Sequence, residues 1–172
     1  MHTITVLTPG QAHERREALI DLLVDAVESG ASVNFVWPMT RPKADRWWDS
    51  ALASHARGER VILAAEAGGT LDGSVQLVLA QQENQWFRAD LAKLLVHRRA
   101  RHQGLGEALT RAAEGEAARL GRTLLTLDTE AGSDAERLYA RLGWIQYGQV
   151  PDYAMRADGC TRQLVTFFYK TL

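Results

Sequence analysis

The segment from Leu94 to Gly121, LLVHRRARHQGLGEALTRAAEGEAARLG, constrains this chain more than any other. An apolar, strand-like run ends at Val96, a basic loop carries Gly104 and Gly106, and an amphipathic helix follows at once. The first turn of a helix has unpaired N–H groups and the positive end of the helix dipole, and glycine lets an anion approach the backbone closely. The segment therefore predicts a strand–loop–helix anion site, with a phosphate as its expected occupant. His97, Arg98, Arg99, Arg101 and His102 give the loop a local positive character.

That character is not shared by the whole chain. The formal net charge is -1, so no global basic field points to nucleic acid or an anionic membrane surface. With 172 residues, 46% of them apolar, the chain suffices for one domain spanning residues 1–172. A single cysteine, Cys160, excludes a disulfide framework and fits a reducing compartment. The N-terminal MHTITVLTPGQAHERRE lacks the long apolar run of a signal peptide or membrane anchor, so a cytoplasmic location is expected.

Strand-like and helix-like runs alternate along the chain. TITVL (Thr3 to Leu7) reads as a strand, and PGQAHERREALIDLLVDAVESG as one helix stopped at Gly30. ASVNFVWPM is an irregular link, because Pro38 and β-branched residues fit a helix poorly. A second helix covers RPKADRWWDSALASHARG, with Pro42 near its start. RVILAAEA, SVQLVLAQQ and ADLAKLLV read as strands, with GGTLDG as the turn between the first two. The helix after the basic loop presents Leu105, Ala108, Leu109, Ala112, Ala117 and Leu120 as its apolar face. RTLLTLDT is a strand, SDAERLYARLG a short helix capped by Ser133 or Asp134, and GWIQYGQVPDY and RQLVTFFYKTL close the chain as strands. The class is α+β, with a mixed, mostly antiparallel sheet of about six to seven strands and about four helices.

Spacing narrows the phosphate's owner. A dinucleotide fingerprint needs glycine where Leu109 stands, and a Walker loop needs a lysine that does not follow Gly106. What remains is RHQGLG, Arg101-x-x-Gly104-x-Gly106, directly after LLV and before a helix. This resembles the acetyl-CoA loop of the GNAT superfamily of N-acetyltransferases. AERLYARLGW, Ala135 to Trp144, resembles that family's second signature, a helix carrying Leu-Tyr followed by a glycine and an aromatic that open a strand. Within the family, ESGASVNFVWPM and LDTEAGSDAERLYARLGW are similar to segments of the tabtoxin-resistance acetyltransferases, which act on a toxin related to an amino acid. Two positions depart from the family pattern. Arg98 stands where proline is common, and Gly132 and Ser133 stand where many members place asparagine.

The resemblance implies transfer of an acetyl group from acetyl-CoA, as co-substrate, to a small-molecule amine. It implies a pyrophosphate on the backbone of Arg101, His102, Gln103, Gly104, Leu105 and Gly106, with Ser133 beside it. The pantetheine arm is expected to pair like an added strand with Leu94, Leu95 and Val96. Tyr139 matches the family tyrosine that faces the CoA sulfur and is the expected acid; its plain alternative is a core aromatic packed against Trp144. Asp128, at the end of LLTL, and Asp90, at the start of DLAKLLV, are the candidate bases, since a carboxylate attracts an ammonium and passes its proton to water. A turn or strand-start aspartate is the alternative for each. Ser32 and Asn34 are expected to orient the acceptor, with Phe35 and Trp37 as apolar walls. Trp47 and Trp48 belong to that wall or to the core, at least one of them to the core, and Lys93 reads as a structural or surface charge. No His/Cys cluster has metal-ligand spacing, so no metal is expected. A homodimer fits the resemblance, although no stretch marks an interface. The competing class is an acyl-CoA-binding sensor that keeps the loop without turnover.

Overall fold

A computed structural model describes residues 1–172. The seven strands are β1 (Thr3–Val6), β2 (Arg60–Ala67), β3 (Thr70–Leu79), β4 (Arg88–Val96), β5 (Leu124–Glu130), β6 (Ile145–Met155) and β7 (Arg162–Thr171). They form one sheet in the order β1-β2-β3-β4-β5-β7-β6, in which only β4 and β5 run parallel. The helices are α1 (Pro9–Glu14), α2 (Arg16–Glu28), α3 (Arg41–Ala56), α4 (Leu105–Arg119) and α5 (Asp134–Arg141). The α+β class and the mostly antiparallel sheet are as the sequence leads one to expect.

Helices cover the two faces unequally. Leu19, Leu22 and Leu23 of α2 and Trp48 of α3 pack with Ile62 and Ala64 on one side. Leu105, Leu109 and Ala113 of α4, with Tyr139 of α5, pack with Leu63, Val75, Leu77 and Leu125 on the other. Gly73 lets α4 lie this close, because a Cβ there would meet Leu109 Cδ1 at 2.8 Å and the Leu95 carbonyl oxygen at 3.2 Å.

Three sequence expectations change. The first helix is two, because Thr8 and Gln11 form a capping box for α1 and the chain turns at Arg15. There the Arg15 guanidinium clasps Glu66 of β2 at 2.8 and 3.2 Å. The β2–β3 turn is Gly68-Gly69, both at positive φ, and Thr70 to Gly73 already belong to β3. On α4, Ala108 is exposed while Thr110 and Ala113 are buried; the Thr110 hydroxyl donates to the Gly106 carbonyl at 2.8 Å, which satisfies its polarity inside.

Two irregularities in β4 matter most. Its parallel pairing with β5 spans only Arg88 to Asp90 against Leu124 to Thr126, after which the strands part. Its register with β3 shifts between Ser74, opposite Leu95, and Gln76, opposite Ala92, which leaves a bulge at Lys93 and Leu94. Lys93 sits there at φ 51. Bulges of this kind re-aim side chains. Here Leu91 faces the α4 core and Leu95 the α2 core, although an unbroken strand would place both on one face.

Candidate functional site

A cavity of about 520 Å³ opens where β4 and β5 diverge. One wall is the strand edge Leu94, Leu95 and Val96, and another is the α4 approach through Arg101, His102, Gly104, Leu105 and Gly106. Ser133, the N-cap of α5, lies at its far side and accepts a hydrogen bond from the Glu136 N–H at 3.1 Å. The edge of β4 beyond Asp90 has no β5 partner, so it can take an added, amide-bearing strand.

The loop into α4 is built for an anion through its backbone. The N–H groups from Arg101 to Glu107 make no hydrogen bond within the chain. Gly104 caps α4 at φ 78 without a side-chain cap, and His102 also lies in the left-handed region at φ 59. Consecutive open amides at a helix N-terminus form a concave anion cradle.

The arginines do something other than the sequence suggests. Asp25 of α2 accepts the Arg98 N–H at 2.9 Å and also its Nε. Asp72 of β3 accepts Arg99 Nε at 2.6 Å, and the Leu71 carbonyl accepts Arg99 Nη2 at 2.9 Å. Arg101 donates to the Val96 carbonyl at 3.0 Å and to the Ser29 hydroxyl. These side chains brace the loop against the body of the protein, and Arg101 also lines the cavity beside the open amides and the helix dipole. Gln103 turns back to the Arg99 carbonyl at 3.1 Å and lies outside the cavity lining.

The reactive groups converge deeper in. Tyr139 is 5% exposed, packs against Trp144 and Phe168 at ring distances of 5.7 and 6.3 Å, and reaches the cavity. It is at once a core aromatic and a lining residue of the cavity. Burial, with the charge of Asp128 second, pushes its phenol well above the ordinary range, so it stays protonated. Asp128 lines this cavity and also a second one of about 580 Å³ bounded by Phe35, Val36, Lys43, Tyr153 and Met155. Solvent reaches Asp128 through the opening, yet the surrounding protein raises its carboxyl pKa; Lys93 opposes that rise and Asp90 adds to it.

Asp90 is placed differently. Its carboxylate accepts Arg88 Nη1 at 2.6 Å and the Thr126 hydroxyl, and it lies outside both cavities. The expectation of a second base there gives way to a clamp across the last β4–β5 rung.

In the 31–40 link, Ser32 and Asn34 line the first cavity, with Asn34 at φ 66, and Ser32 accepts a hydrogen bond from Gln163. Phe35 bounds the second cavity and stands edge-on to Trp47 at 5.6 Å. Trp37 does not form the expected wall: its backbone N–H donates to the Ala157 carbonyl at 2.6 Å, and the residue is 62% exposed and outside both cavities. Trp48 is core, fully buried and donating Nε1 to the Leu19 carbonyl at 3.0 Å. Lys93, expected as a structural or surface charge, is placed at the cavity instead. It lines the first cavity, with Nζ 5.4 Å from the Phe35 ring centre and 5.6 Å from that of Trp47. A lone lysine in an apolar strand gives no local signal of this placement.

The sequence profile described as the Acetyltransferase (GNAT) family matches residues 17–144. The chain belongs to the GNAT family. Acetyl-CoA is accordingly its co-substrate, and the chain is an acetyl-CoA-dependent acyltransferase. The open amides of Arg101 to Glu107 fit the pyrophosphate and the free β4 edge fits the pantetheine arm. Solved GNAT-like structures share the architecture over the whole chain. Ribosomal-protein-alanine N-acetyltransferase from Brucella melitensis is 22% identical at TM-score 0.79, covering 99% of this chain and 99% of that one. The yncA protein of Salmonella typhimurium, solved with its cofactor acetyl-CoA, is 20% identical at TM-score 0.79, covering 100% and 94%. A candidate phosphinothricin N-acetyltransferase is 18% identical at TM-score 0.78, covering 100% and 99%. At these identities the likeness is one of fold. No helix is long and apolar enough to cross a membrane, and no three His, Cys, Asp or Glu side chains converge as a metal site.

Proposed function

We propose that this enzyme acetylates the amine of a small molecule by direct attack on acetyl-CoA, with Asp128 as base and Tyr139 as acid. The observation that carries this is the position of Asp128, which borders the cavity that fits CoA and the one bounded by the 31–40 link. An acceptor entering from the second cavity meets Asp128 before it meets Tyr139. Asp128 attracts the ammonium and relays its proton to solvent, leaving a neutral nitrogen. That nitrogen bonds to the acetyl carbon as the carbon–sulfur bond breaks; the departing thiolate takes the Tyr139 proton, and the second proton, shed by the nitrogen as it becomes an amide, returns to the Tyr139 oxygen. Burial raises the pKa of this phenol, so it is protonated when acetyl-CoA binds.

The tabtoxin-resistance likeness of residues 28–39 and 127–144 supports a small acceptor, as does the similarity to a candidate phosphinothricin N-acetyltransferase. A thiol-release assay with acetyl-CoA and a panel of small amines and peptides tests the reading. Release of CoA that depends on a small amine supports it. Acetylation of peptide N-termini alone would replace the acceptor class. Saturable acetyl-CoA binding with no transfer to any member would favour the acyl-CoA sensor.

A further inference from the structure

Lys93 carries a charge for which the transfer chemistry just described has no use. Of the three lysines, Lys43 donates to the Val36 carbonyl at 2.9 Å and Lys170 to Glu114 at 2.8 Å. Lys93 has no hydrogen-bond acceptor in the chain, although it is partly buried in the cavity wall. The bulge, at φ 51, turns it out of the strand's alternation, and the rings of Phe35 and Trp47 hold its ammonium. The charged groups around it are Asp128, Arg60 and, through Asp128, Asp90. Arg60 is engaged with Gln76, and Asp90 with Arg88 and Thr126. Asp128 senses Lys93 but forms no contact ion pair with it. One cavity thus presents a fixed cation and a fixed carboxylate that are held apart, both with unused hydrogen-bonding capacity. Such an arrangement is complementary to a zwitterion.

We propose that Lys93 binds a carboxylate carried by the amine acceptor, while Asp128 takes the acceptor's ammonium. The acceptor class is then an amino acid or a close analogue, and Lys93 is its specificity determinant. This rests on the small-amine reading of the same site. With only the two rings and a distant carboxylate to offset it, an ammonium without a hydrogen-bond acceptor in a cavity wall carries a desolvation cost that a bound carboxylate would relieve. Burial, with Arg60 second and Asp128 opposing, brings Lys93 down to about 8, so it is mainly cationic at neutral pH. The aromatic walls exclude water from the pair that forms.

The test is calorimetric titration of the protein–CoA complex with a panel of L-amino acids, each against the amine that lacks its carboxylate. The wild type should bind amino acids about ten- to a hundredfold tighter than the paired amines, the range of one charge-assisted hydrogen bond. K93M, which keeps the stem against Phe35 and Trp47, should bring that ratio near one, and K93R should restore it. A ratio near one in the wild type, an undiminished ratio in K93M, or no binding by any member would overturn the assignment. Acetyl transfer to the same ligands separates the two readings. A Lys93-dependent preference without transfer leaves this binding site standing and removes the small-amine transfer reading of it. Transfer without the preference does the reverse.

Discussion

Asp25→Ala tests whether the acetyl-CoA loop is pre-organised from outside the cavity. The Asp25 side chain is 10% exposed and holds the loop through two hydrogen bonds from Arg98, one from backbone N–H and one from Nε. Hydrogen bonds to charged groups are worth about 1.5–3 kcal/mol net. The Arg98 side chain is 53% exposed, so its guanidinium returns to water when the carboxylate goes, which limits the loss to about 1–2 kcal/mol. For a chain of this size that lowers Tm by about 2–8 °C. If that energy holds the loop in its binding form, the acetyl-CoA Kd rises by about five- to thirtyfold, since apparent affinity scales with the competent fraction. Arg98→Met removes only the side-chain arm and should give a smaller rise. Calorimetric titration with acetyl-CoA, alongside thermal unfolding, reads both effects. A folded Asp25→Ala protein with wild-type Kd would refute the brace, whatever its Tm.

Other perturbations address the remaining parts. Asp128→Asn should lower kcat by about 10²-fold or more, within the range of acid–base catalysis. A base works deprotonated, so wild-type kcat/KM should fall as pH drops through a pKa above the ordinary carboxylate value, and that limb should vanish in the variant. Tyr139→Phe keeps the ring packing with Trp144 and Phe168, so it should reduce kcat by a comparable factor at nearly unchanged Tm; unchanged kcat would leave Tyr139 only a core role. Gly104→Val places a β-branched residue at φ 78, at a cost of about 1–2 kcal/mol. Gly106→Val sets a side chain among the open amides, its Cβ 3.4 Å from Leu138. Each should weaken acetyl-CoA by about tenfold or more, and normal affinity in both would move the pyrophosphate elsewhere.

The parts of this site legible in the sequence are the local ones. Gly104, Gly106 and the α4 pattern lie within a few residues of each other, and their chemistry belongs to the backbone. What the arginines do depends on partners far along the chain: Arg98 finds Asp25 across 73 positions and Arg99 finds Asp72 across 27. Nothing near RRAR distinguishes a phosphate clamp from a brace. Alternation along ADLAKLLV was legible too, but the phase slip at Lys93 was not, because it needs the register with Ser74 and Gln76. Trp37 and Trp48 show the same limit, since an indole's fate rests on whether its neighbourhood is covered by another helix.

The two aspartates that read alike in the sequence end in different roles, and the geometry of β4 and β5 gives the reason. Asp90 sits opposite Thr126 in the last paired rung, where Arg88 and the Thr126 hydroxyl occupy its carboxylate. Two residues further along β5 the strands have parted, so Asp128 has no β4 neighbour to satisfy it and faces the cavity instead. Closing the sheet at Asp90 is therefore what opens it at Asp128. The bulge at Lys93 lies just beyond this point and has its own cause, the register shift of β4 against β3. The divergence supplies the free edge for the co-substrate and the free carboxylate, and the register shift against β3 supplies the turned lysine. A substitution that loosened the Arg88–Asp90–Thr126 clamp would shift the free edge and the carboxylate together.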